Sequence, residues 1–212
     1  MTGEFSLAGL TSQKGWVRTR CDLRIWIPVP AGFSPETGLD RDTWAVTMAE
    51  AWWEQSGLRY GPDMVAKLAV MLETLRQDGF ANFPCHQIWA HYRDVTLPPL
   101  PLHIGIWKMT GPRDQQLRAL SGATDPDVIR PPEVTEYTTD ALGTGFRTLR
   151  HIRAGSGAVC GMLGFAFRSE EFETDVQVTT GTPDLRQLHR ATGDIETFVH
   201  GMSVYDHPER PA

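Results

Sequence analysis

Apolar positions in this chain follow two periods, and the switch between them divides it into helices and strands. Trp16-Val17-Arg18-Thr19-Arg20-Cys21 is polar and β-prone, and Leu23-Arg24-Ile25-Trp26-Ile27 adds bulky β formers, so one strand is expected over Trp16–Val29. Pro28 and Pro30 remove two backbone donors and end it or place it at an edge. Ala31–Asp40, punctuated by Pro and Gly, reads as loop. From about Asp40 to Gln55 the period becomes helical: Trp44, Met48, Ala51 and Trp52 share one face. Asp40 or Asp42 can cap this helix, and Gly57 suits a left-handed stop. A second helix opens at Pro62, where a missing N–H costs nothing, carries Val65, Leu68, Leu72 and Leu75 inward, and is expected to end at Gly79. The two form a helical hairpin joined at Ser56–Gly61.

The middle of the chain returns to period two. Strands are expected at His86–Arg93 and Leu102–Met109, separated by a joint too rich in proline to pair in a central ladder. A short helix at 112–120 carries Leu117 and Leu120, and 121–132 is loop. Four strands follow at about 133–139, 145–153, 158–167 and 172–180. In the last, Phe172, Thr174, Val176 and Val178 face one way while Glu173, Asp175 and Gln177 face the other. The 158–167 segment is apolar on both parities, which places it at the centre of a sheet covered on both faces. A final helix opens at Thr182-Pro183-Asp184 and buries Leu185, Leu188, Ile195, Phe198 and Met202, leaving His207–Ala212 as a tail.

The expected fold is therefore α+β: a mostly antiparallel β-sheet flanked by helices on both faces, an α/β/α sandwich. One domain is expected over 1–212, with frayed ends at about 1–15 and 206–212. The element order over Leu23–Met202, closing on strand 172–180 and helix 183–202, resembles the sandwich of the PsbP, Mog and LpqN proteins. That resemblance implies the fold and transfers no site residue.

Composition narrows the function classes. The chain has 212 residues, 41% hydrophobic and 22% charged, an ordinary globular balance that excludes disorder. A net charge of −6 argues against a broad nucleic-acid surface. No apolar stretch approaches the ~20 residues of a membrane-spanning helix. The first residues show no basic segment followed by an apolar run, so no secretory signal is expected. Three cysteines, Cys21, Cys85 and Cys160, without Cys-x-x-Cys spacing fit a reduced, cytoplasmic protein.

Candidate chemistry is sparse. Gly155–Gly161 is glycine-rich like a phosphate loop, yet strand rather than helix follows it, so a hairpin turn at Ala154–Gly157 is expected. Gly143-Thr144-Gly145 reads as another turn. His86 and His91 point to opposite strand faces, His91 and His103 lie on consecutive strands, and no metal-ligand spacing occurs. No metal or cofactor is expected. Cys85 cannot be activated by its neighbour His86, and a small buried hydrophobe is the expected role of Cys85 and Cys160. Arg147, His151 and Arg153 share one strand parity, which suits an anion or acidic-peptide site, or else a sheet face paired to acids such as Glu170, Glu171 and Glu173. Of seven tryptophans most should be core, with Trp16 and Trp53 available to a partner. Trp53 is expected at the rim of the helical hairpin with Arg59 and Tyr60. The function expected is a non-catalytic binding or adaptor module for a protein partner or a second copy of itself, without nucleic acid or membrane. The alternative is a small enzyme or small-ligand binder with a pocket between sheet and helices, using His91, His103 or Cys85.

Overall fold

A computed structural model describes residues 14–33, 40–83 and 85–206. The protein is α+β, and every strand pairing detailed below is antiparallel. The chain divides into two compact units, one of Asp22–His103 and one of the segments before and after it. The tails expected at about 1–15 and 206–212 lie outside the described residues except at their inner ends. There Gly15 and Asp206 are partners in a sheet.

In the Asp22–His103 unit the single expected strand does not form. The Asp22 carbonyl accepts the amides of Ile25 and Trp26, and its carboxylate accepts the Arg24 amide at 3.0 Å. This turn splits the segment into β1 (Gly15–Thr19), which belongs to the other unit, and β2 (Trp26–Val29). Helix α1 (Trp44–Ser56) starts on the Asp40 carbonyl, which accepts the Trp44 amide. No side chain caps it: the Asp40 carboxylate instead takes the Thr43 hydroxyl. Gly57 closes it in the left-handed region at φ 67°. Helix α2 (Pro62–Asn82) runs past Gly79. A Cβ at Gly79 would lie 2.5 Å from Ile88 Cδ1, so this glycine lets β3 (Gln87–His91) approach the helix rather than ending it. Trp44, Trp52, Trp53, Leu68, Leu72 and Ile88 anchor the core of this unit. Strand β2 pairs with β3, and β4 (Leu100–Lys108) begins at its own Leu100-Pro101.

The other unit holds Ile104–Lys108 of β4, then β8 (Thr174–Thr182), β7 (Val159–Ser169), β6 (Gly143–Arg153) and β5 (Glu133–Thr139), in that spatial order. Helix α3 (Arg113–Ser121) covers one face: Leu117 packs on Phe146 and Ala166, and the Thr148 hydroxyl donates to Ser121 Oγ at 2.9 Å. Helix α4 (Leu185–His200) covers the opposite parity, pairing Glu196 with Arg147 and lying over Gly161 with Leu188. Asp184 caps it, accepting the Arg186 and Gln187 amides. Strand β7 therefore sits centrally with both faces covered. Leu163, Phe165 and Phe167 are at most 1% exposed on one face and Ala166 is fully buried on the other. The last helix does not continue to Met202: Met202–Asp206 is β9, antiparallel to β1 and fixed by the Arg20 amide on the Gly201 carbonyl, while the tail expected at His207–Ala212 lies outside the described residues.

Candidate binding surface

The joint between α1 and α2 is short because a left-handed glycine ends one helix and a proline starts the next. Ser56 Oγ donates to the Trp53 carbonyl at 2.8 Å and accepts the Leu58 amide, so the turn is fixed by hydrogen bonds of its own. Leu58, Arg59, Tyr60 and Met64 project outward, all exposed. The Tyr60 ring stacks on Trp53, with centroids 5.8 Å apart and planes 22° from parallel.

Trp53 is not at a rim. It is 2% exposed, with its ring edge-on to Trp52 at 5.0 Å. Helix α1 is covered over a wider arc than one apolar stripe, since Trp44, Ala49, Trp52 and Trp53 are all buried. The side chain that reaches solvent is Tyr60, and Trp53 is its base.

Beside the joint lies an open cleft of about 350 Å³. One wall is Asp22, Arg24 and Ile25 from the turn before β2; another is Trp52, Gln55, Ser56 and Leu58 from the end of α1; Arg93 follows β3. Arg24 grips Asp22 through Nε at 2.9 Å and Nη2 at 2.7 Å. Those hydrogen bonds, the Arg24 amide and the charges of Arg24 and Arg93 hold the Asp22 carboxyl down at about 2. Trp52 Nε1 and Trp53 Nε1 are buried with no hydrogen-bond acceptor among the described residues.

In the second expected cluster, Arg147, His151 and Arg153 share one parity of β6, and two of them are engaged within the fold. Arg147 is half-buried against Glu196 at 2.9 Å, a partner from α4 rather than the acids at 170–173. Arg153 donates to the Gly157 carbonyl within its own hairpin, and the His151 carbonyl accepts the Ile129 amide. The glycine-rich stretch is a hairpin turn: the Ala154 amide donates to the Ala158 carbonyl, and Gly157 has φ 86°. His91 packs on Trp26 and His103 on Phe83. Cys85 is buried, and burial pushes its thiol up to about 12, so it is not held as a thiolate. Cys160 is only half-buried. Among the described residues no three of His, Cys, Asp and Glu are grouped.

Two features escaped sequence reasoning. Asp22, Arg24 and Arg93 sit in segments read as strand or loop ends; the Asp-x-Arg spacing before a β run was their only trace. Arg168 and Asp175 form a buried pair on β7 and β8, although alternation had placed Asp175 on a polar face.

No family model matches the chain, and no curated protein matches it. Among solved structures it is similar to cyanobacterial PsbP (CyanoP) from Synechocystis sp. PCC 6803. The identity is 12%, over 59% of this chain and 77% of that one, with a TM-score of 0.38.

Proposed function

We propose that this protein is a non-catalytic binding module that holds another protein through the α1–α2 joint. The observation that carries the reading is Tyr60, exposed yet stacked on a buried tryptophan and flanked by exposed Leu58, Arg59 and Met64. Aromatic and arginine side chains dominate protein contacts because they desolvate a large area while fixing few rotatable bonds. Stacking on Trp53 restricts Tyr60 before any partner arrives, which reduces the entropy lost on binding.

The catalytic candidates lend the alternative little support: a buried protonated thiol, a glycine-rich hairpin and an arginine paired within the fold. A cytoplasmic setting belongs to the same proposal, supported by three free cysteines. No described helix is long and apolar enough to cross a membrane.

The test is affinity capture from the cells that make the protein, with wild type and Tyr60→Ser/Met64→Ser side by side. A stoichiometric protein, or a second copy seen by light scattering, should be held by wild type and lost by the variant at an unchanged melting temperature. Equal capture by both, or a wild type that stays alone, would overturn the reading.

A further inference from the structure

We propose that the partner held at the α1–α2 joint presents a side-chain carboxylate to Arg59 from within an apolar surface. The inference deepens the protein-binding reading and rests on it. Among the exposed Leu58, Arg59, Tyr60 and Met64, only Arg59 is charged. In the same unit Arg24 is held by Asp22 and Arg76 by Glu73. Arg59, by contrast, makes no hydrogen bond or ion pair among the described residues, so neither Glu54 nor Asp63, its nearest acids in sequence, is bonded to it. Asp63 lies in the first turn of α2, where the helix dipole favours a negative charge.

A partner that covers Leu58 and Tyr60 takes the intervening Arg59 out of water with them. A guanidinium desolvated without a counter-charge is costly, so a wholly apolar surface would bind poorly here. A carboxylate answers both needs: it neutralises the charge, and it accepts two guanidinium N–H groups as a planar fork. Such a bond strengthens as the surrounding apolar contact excludes water. The backbone beneath Arg59 is ordered beforehand, because Ser56 Oγ ties the Trp53 carbonyl to the Leu58 amide. Arginine in this setting, ringed by apolar side chains, is a dominant contact residue. The whole chain carries a net charge of −6, so the attraction for a carboxylate is local to this site.

The probes are the peptides Ser-Leu-Glu-Phe-Ser and Ser-Leu-Gln-Phe-Ser, acetylated and amidated so that the glutamate holds the only charge. Binding to the full chain is followed by NMR at the backbone amides of Leu58, Arg59 and Tyr60. The Glu peptide should shift them saturably and bind at least threefold tighter than the Gln peptide. Arg59→Gln, at an exposed position, should abolish that preference. The protein captured by wild type should also be held at least threefold more weakly by Arg59→Gln, at an unchanged melting temperature. No saturable shift, a preference below threefold, or a preference that survives in Arg59→Gln would overturn the inference. Capture lost in Tyr60→Ser/Met64→Ser yet unchanged in Arg59→Gln would overturn it while leaving the protein-binding reading in place. A wild type that captures nothing sinks that reading, and this inference with it.

Discussion

Asp175 has a side chain with no exposure at all, and the Arg168 guanidinium that it holds is 4% exposed. The carboxylate accepts Arg168 Nε at 2.7 Å and Nη2 at 2.8 Å, while Nη1 and Nη2 also donate to the carbonyls of Gly111 and Thr110. The pair thus ties the β7–β8 ladder to the chain entering α3. Asp175→Ala leaves that guanidinium buried with two carbonyl acceptors and no carboxylate bonded to it, only the more weakly acting charge of Glu170. Breaking a buried pair in this way costs about 3–5 kcal/mol. In a chain of this size each kcal/mol lowers the melting temperature by roughly 2–4 °C, so a fall of about 6–20 °C is expected. Asp175→Asn, which keeps an acceptor, should fall less. Arg168→Met/Asp175→Ala should lose less than the sum of its single variants, because no charge is left stranded. Thermal melts followed by circular dichroism measure all four proteins. An Asp175→Ala protein melting within about 3 °C of wild type would show the stranded guanidinium to be solvated and the pair not to be buried in this sense.

Other expectations follow from burial and charge. Leu163→Asp places an unpaired carboxylate in the twice-covered centre of β7 and should abolish soluble expression; a cooperatively melting product would contradict the central placement. Trp52→Ala and Trp53→Ala should each cost about 3–5 kcal/mol in urea unfolding, and a near-neutral Trp53→Ala would return that residue to the surface. The Glu73 carboxyl is held at about 2 by its hydrogen bond from Arg76, helped by Gln77 and the Arg76 charge. Because that value lies below the ordinary 4.5, its contribution to stability is complete above pH 4.5 and is lost as pH falls through about 2. NMR titration should find that low midpoint, and one near 4.5 would contradict the ion pair.

Where hydrophobic periodicity met backbone chemistry, the fold was legible. Strands β5 to β8 and helix α4 lie close to their expected positions because alternation, turn glycines and the Asp184 cap agree. The misses have local causes. An Asp22 turn interrupts a β-prone run, since a carboxylate accepting its neighbours' amides competes with the ladder. Gly79 looked like a helix stop, but its use is the approach of Ile88, a contact no spacing announces. Strand β9 was hidden because Met202 continues a helical stripe, and only pairing with residues far back at 15–19 makes it a strand. Of the candidate surface, Arg59 and Tyr60 were legible as an exposed joint. Trp53 was misplaced because one helix periodicity cannot say how wide an arc its neighbours cover. The cleft was invisible, since it gathers residues 22–25, 52–58 and 93.

The most direct test of the protein-binding claim is photo-crosslinking from single positions of the full chain in the cells that make it. A photoreactive phenylalanine analogue replaces Tyr60 in one variant and Ile129, also exposed, in another. One discrete protein adduct is expected from position 60, and none from position 129. Adducts from position 129 alone, equal adducts from both, or none from position 60 would contradict it.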